Sequence, residues 1–117
     1  MPLPTSTDLP PILRGDSFTI PVAFTDANDQ PADLSGWTLI FTLKFHRMQP
    51  DSEAVLQKRQ IIAGSEAIVI VTPTDTNELT PYRYEYDIQL STPDGTGVRT
   101  FMMGTITLTS GVTHAIS

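Results

Sequence analysis

The sequence contains no cysteine. Disulfides, thiolate nucleophiles and cysteine metal sites are therefore excluded, and stability has to come from burial and strand pairing. Basic residues are scarce: seven Lys and Arg stand against thirteen Asp and Glu, a formal net charge of -6. A field of that sign repels phosphate backbones and anionic lipid, which argues against nucleic acid or a membrane surface as partner. No apolar run approaches the roughly 20 residues that cross a bilayer. Histidine is limited to His46 and His114. The opening residues, Met1-Pro2-Leu3-Pro4-Thr5-Ser6-Thr7-Asp8, have neither the positive start nor the unbroken apolar stretch of a secretory signal. The expectation is a protein that stays in the cytoplasm where it is made, or one whose signal has been trimmed.

What is present suits one domain. The 117 residues, 39% of them hydrophobic, suffice for a single two-layer core and not for two. Residues 1–13 carry Pro2, Pro4, Pro10 and Pro11 without apolar periodicity. Their fixed φ angles and missing N–H groups predict an extended arm, either a loose end or a segment laid across a neighbouring subunit. Residues 14–110 are expected to form the domain and 111–117 a tail.

Within the domain the dominant signal has period two. Phe18, Ile20, Val22 and Phe24 share one face of a strand; Pro21 within it has no N–H to give a ladder, so that side faces solvent or the strand is an edge. Asp26-Ala27-Asn28-Asp29 through Asp33 is turn chemistry. Trp37, Leu39, Phe41, Leu43 and Phe45 form the largest apolar row, expected at the centre of the core, with Thr38, Thr42, Lys44 and His46 opposite. Residues 54–62 read as a more polar strand. The β-branched run Ala67-Ile68-Val69-Ile70-Val71 reads as a strand buried on both sides. Asp75 followed by Glu78 resembles a capping box opening one helical turn, which Pro81 stops. Tyr82, Tyr84, Tyr86, Ile88 and Leu90 alternate with Arg83, Glu85, Asp87 and Gln89, and Tyr84 or Tyr86 is expected to bury a hydroxyl bonded to a corner of the fold. Pro93-Asp94-Gly95-Thr96-Gly97 predicts a hairpin. In the last strand Phe101 and Met103 differ in parity from Ile106 and Leu108, which predicts a β-bulge at Gly104. The sum is an all-β chain, an antiparallel sandwich of about seven strands, with the Trp37 and Tyr82 rows on the facing sides of two sheets.

Chemistry is thinly represented. A serine triad would need His46 or His114 framed by a nucleophile turn, and neither is. The acids are many, but none stands in an apolar setting that would raise its pKa. Asp26, Asn28, Asp29 and Asp33 offer hard oxygens to calcium, yet the same letters serve an ordinary turn and no bidentate Glu completes a set. Lys44, His46, Arg47, Lys58 and Arg59 make a basic patch if their strands are neighbours; the plainer reading is a charged strand face that keeps an edge soluble. Arg14-Gly15-Asp16 spells an adhesion tripeptide but leads straight into a strand, where Gly15 relaxes the backbone. The expectation is no catalytic residue, no cofactor and no small-molecule substrate.

Several stretches taken in order look familiar: Arg14-Gly15-Asp16-Ser17-Phe18-Thr19-Ile20, the acidic turn, Pro31-Ala32-Asp33-Leu34-Ser35-Gly36-Trp37, Glu78-Leu79-Thr80-Pro81-Tyr82-Arg83-Tyr84-Glu85-Tyr86-Asp87-Ile88, and Asp94-Gly95 before the closing strand. Together, over residues 14–110, they resemble the immunoglobulin-like domains of bacteriophage baseplate and tail-fibre proteins, including the N-terminal domain of baseplate upper proteins. The resemblance implies an immunoglobulin-like sandwich, a non-enzymatic virion component assembled in the host cytoplasm, other tail proteins as partners, and a homo-oligomer. Members of the family generally attach further modules to a tail; here only Gly111 to Ser117 follow the domain, which points to a small adaptor or a fragment. From other classes, a carbohydrate-binding sandwich and a calcium-dependent adhesin repeat are the alternatives.

Overall fold

The computed structural model describes residues 5–6, 12–13, 16–46, 48–77 and 79–109. Eight strands are named within them: β1 (Thr5–Ser6), β2 (Ile12–Leu13), β3 (Phe18–Ala23), β4 (Thr38–Lys44), β5 (Leu56–Ile61), β6 (Glu66–Val71), β7 (Tyr82–Ser91) and β8 (Val98–Thr109). One short helix, α1 (Pro73–Asn77), lies between β6 and β7, and a single 3-10 turn, Asp51–Glu53, precedes β5. The protein is therefore mostly β, as the alternating pattern requires.

The strands form two sheets. The larger, six-stranded sheet has the order β1-β8-β7-β4-β5 with β2 also on β8, and the smaller pairs β3 with β6. All pairings are antiparallel except those of β1 and β2, which run parallel to β8, Thr5 facing Met102 and Ile12 facing Leu108. Thus the described parts of the segment expected as an arm lie along the last strand of the protein's own sheet; the rest of residues 1–13, and residues 111–117, fall outside the described residues.

The two long apolar rows were expected on facing sheets, and this is corrected: β4 and β7 are neighbours in one sheet, with Leu39 beside Leu90, Phe41 beside Ile88 and Leu43 beside Tyr86. The side chains laid over them come from the small sheet. Ile20 and Val22 of β3, and Val69 and Val71 of β6, join Phe41, Tyr84, Ile88 and Ile106 in a single core cluster. The rows also outrun their cover, since Phe45 is 39% and Tyr82 49% exposed at one end.

Three local expectations change. The β6 run is not buried on both sides: Val69 and Val71 are enclosed, whereas Ile68 and Ile70 are 52% and 56% exposed. A two-stranded sheet has only one covered face, so β-branching here reflects fit to a pleated strand and not two-sided burial. The bulge falls at Phe101, not Gly104. Ile88 faces Met102 but Gln89 faces Thr100, leaving Phe101 as the extra residue. Both Phe101 and Met102 can then pack on the core, and the Phe101 ring meets Phe24 edge-on at 5.3 Å. Finally, the helix cap is Thr72, three residues before the expected Asp75. Asp75 N–H donates to Thr72 Oγ1 at 3.3 Å while Thr72 N–H donates to Asp75 Oδ2 at 2.8 Å. This is a reciprocal capping box with Pro73 at the first helical position, where its missing N–H costs nothing. Glu78 lies outside the described residues.

Pro21 sits where its missing donor is harmless. Phe24 N–H donates to Ser65 O at 2.8 Å, which points the alternate residues of β3, Pro21 among them, away from β6. Among the described residues β3 pairs with β6 alone.

Candidate functional site

The acidic loop uses its carboxylates as structural acceptors. Asp26 Oδ1 accepts from Asn28 N–H at 2.8 Å and Gln30 N–H at 3.1 Å, closing a turn on itself. Asp33 serves a separate turn: its Oδ1 accepts from the N–H and hydroxyl of Ser35, and these bonds hold its carboxyl below the usual range. The Ser35 hydroxyl in turn accepts from Gly64 N–H at 2.8 Å, tying this loop to the β5–β6 connection. Asp29 takes the φ of 60° that Asx residues tolerate. Asp26 and Asp33 thus spend their oxygens on different turns, and among the described residues no group of three or more His, Cys, Asp or Glu could hold a metal ion.

Among the described basic residues, Lys58 lies on the other face of the sheet from Lys44 and Arg59. Along β5, Lys58 faces the Phe41 row and Arg59 the opposite side of the sheet. Lys58 Nζ is 2.6 Å from Asp75 Oδ2, whereas Arg59 bonds Gln57 Oε1 at 3.3 Å. Lys44 donates to Gln49 O at 2.8 Å. His46 is exposed, its Nδ1 accepting from Met48 N–H. Arg47 and His114 lie outside the described residues, as do Arg14 and Gly15; Asp16 marks the approach to β3, its N–H donating to Leu13 O.

The outer face of the large sheet carries a shallow cleft of about 40 Å³ lined by Thr42, Lys44, Glu85, Asp87, Met103 and Gly104. Ligand pockets typically measure roughly 300–1,000 Å³, so this space fits ordered water and not a substrate. An aromatic cluster lies at one end of the β4 and β7 rows. The Phe45 ring lies 5.1 Å from those of both Tyr82 and Tyr84, but it meets Tyr82 at 76°. Two exposed rings so steeply inclined do not make one flat platform for a sugar ring.

Two polar arrangements are built with more care than any of these. The Tyr84 side chain is fully buried, and its hydroxyl donates to Thr80 O across the corner between α1 and β7. Burial, with the neighbouring Tyr82 phenol, pushes the Tyr84 pKa up. At the β7–β8 hairpin, Asp94 Oδ1 accepts from the Thr92 hydroxyl at 2.6 Å, Thr96 N–H at 3.0 Å and the Thr96 hydroxyl at 2.9 Å. These donors hold its pKa at about 2. Gly95 supplies the φ of 76° that the turn needs. Gly36 lies against the Pro93 ring, so this hairpin and the loop before β4 meet at the same end of the molecule. Both arrangements brace the chain, and neither presents a reactive atom to a cavity.

The chain matches no known family model and no curated protein. The geometry defines a β-rich scaffold whose polar networks serve its corners and turns.

Proposed function

We propose that the chain is a non-enzymatic structural module that acts by protein–protein assembly, an immunoglobulin-like sandwich used as an adaptor in a bacteriophage tail or baseplate. The observation that carries the non-enzymatic part is the use made of the polar side chains. Asp26, Asp33, Asp75, Asp94 and Tyr84 all close turns, caps or corners, and His46 stands on the surface with its Nδ1 accepting from Met48 N–H. The sandwich reading is supported by the strand order. A β8-β7-β4-β5 sheet faces β3-β6, the first strands run parallel to the last, and a tyrosine near the start of β7 bonds back to the corner before it. The virion assignment rests on the sequence motifs, from Arg14-Gly15-Asp16 to Asp94-Gly95, that resemble the phage domains.

Self-association is tested by size-exclusion chromatography with light scattering over a wide concentration range. The expected result is a mass that rises to a defined multiple of the 12.8 kDa chain. A strict monomer at high concentration counts against a homo-oligomer. Co-purification with phage tail proteins tests the virion role, and tail particles that assemble and infect normally without the protein would refute it.

A further inference from the structure

The strand edges of the two sheets are not protected alike. β5 ends the large sheet with Lys58 turned inward and Arg59 exposed on the outer face. In the small sheet Pro21 lies on the free side of β3, and the Gln60 amide takes Ile68 O of β6 at 2.9 Å. Charge, proline and a capped carbonyl each blunt an edge. The other end of the large sheet has none of these. β8 is the longest strand, and from Thr100 to Thr109 it contains no charged residue and no proline. Such a segment is a template for another strand. Among the described residues only β1 and β2 pair with its outer edge, at Met102-Met103 and Leu108-Thr109.

That cover is light. Each pairing spans two residues, the two are out of register with one another by one residue, and Pro10 and Pro11 have no N–H to give. Ile12 packs against the core cluster, and its carbonyl accepts from the Thr109 hydroxyl at 3.4 Å. β7, by contrast, holds the other side of β8 along the whole of Tyr82–Ser91.

We propose that the chain self-associates through β8, by antiparallel pairing with β8 of a second copy, and that the N-terminal segment competes for this edge and keeps it closed. A second copy fits because the edge meets itself without like charges, although each chain carries a net charge of -6. A two-fold axis through the pairing joins two large sheets into one, whereas the closed form ends in β1 and β2, which are too short to template a partner. β8 is thus the surface for the self-association proposed above, and its assignment rests on that reading.

Light scattering over a wide concentration range, on four forms of the full chain, tests it. Leu13→Cys/Thr109→Cys ties β2 to β8 by a disulfide in a chain with no other cysteine; Cα atoms paired across neighbouring strands stand about 4.8 Å apart, within reach of that bond. Ile12→Asp places a charge in a half-buried contact and frees the edge. Ile12→Asp/Thr105→Lys adds a like charge to the edge of each copy, opposite Glu85 of β7. The oxidised disulfide form should stay at 12.8 kDa and behave as wild type once reduced. Ile12→Asp should dimerise with a Kd at least about tenfold below that of the wild type, because a competitor no longer closes the edge. Adding Thr105→Lys should weaken that dimer by about threefold or more. An oxidised form that associates as tightly as wild type would overturn the β8 assignment and leave self-association standing, as would an Ile12→Asp that is no tighter than wild type. A dimer indifferent to Thr105→Lys overturns it too. A monomeric wild type beside a dimeric Ile12→Asp upholds the closed edge and removes the homo-oligomer as the resting form, while association by no form overturns both. Should Ile12→Asp fail to fold, Ile12→Ser is read by the same criteria.

Discussion

At the scale of single residues, position within an alternating row does not by itself fix what a side chain contributes. Phe41 and Phe45 belong to the same row of β4, yet Phe41 is fully enclosed and Phe45 is 39% exposed. Phe41→Ala should therefore destabilise by about 3–5 kcal/mol, and Phe45→Ala by clearly less, in urea unfolding followed by tryptophan fluorescence; equal losses would contradict the core described above. Asp94 shows the same dependence on local partners. Its three donors favour the carboxylate and hold its pKa at about 2, below the 3.8 of a free side chain. A folded-state value below the unfolded one means that the stabilisation is complete above the unfolded pKa and disappears as pH falls through the folded one. Carbon-detected titration should put the Asp94 midpoint near 2, and Thr92→Val/Thr96→Val should move it back toward 3.8. A wild-type midpoint near 3.8 would show that the hairpin bonds do not form in solution.

At the scale of elements, the helix and the last strand show what local sequence reading catches and what it misses. The capping box was legible in kind but misplaced. Asp75 with Glu78 fits the acidic spacing, whereas Thr72-Pro73-Thr74-Asp75 offers both a hydroxyl cap and proline at the first helical position, a stronger pair of signals. Thr72 and Asp75 cap each other, so their losses overlap. Thr72→Ala and Asp75→Ala should each cost about 1 kcal/mol, and the double variant should cost less than the sum; strict additivity in thermal or chemical denaturation would deny the reciprocal cap. Burial pushes the Asp75 carboxyl up, but Lys58 and the Thr72 donors outweigh it and the net shift is downward. The cap should therefore hold above the ordinary carboxylate range and fail only as pH drops below it. In β8 the change of parity between Phe101 and Ile106 announced an irregularity, but its position depended on the partner strand. Ile88 and Gln89 of β7 decide where the extra residue goes, and no single strand contains that information.

At the scale of the whole molecule, a six-stranded sheet is covered by one of two strands, and this inequality sets which apolar residues are free. Ile70 and Ile88 both stand in alternating strands. Ile88→Ala should cost about 2–5 kcal/mol, because its side chain lies between the sheets, while Ile70→Thr should stay within about 0.5 kcal/mol. A large loss at Ile70 in denaturant unfolding of the isolated chain would mean that the outer face of the small sheet is covered in solution. The sequence by itself determined where β3 to β8 run, which face of β3, β4 and β7 turns inward, that Gly95 closes a hairpin, and that a tyrosine anchors a corner. All of these follow from side-chain period and turn chemistry within a few consecutive residues. Only the tertiary structure decided that the Trp37 and Tyr82 rows lie side by side instead of face to face, that the first strands join β8, and that Ile68 and Ile70 stay in water. Pairing and coverage are relations between distant segments, and a period of two records only that one face of a strand is buried, never which neighbour buries it.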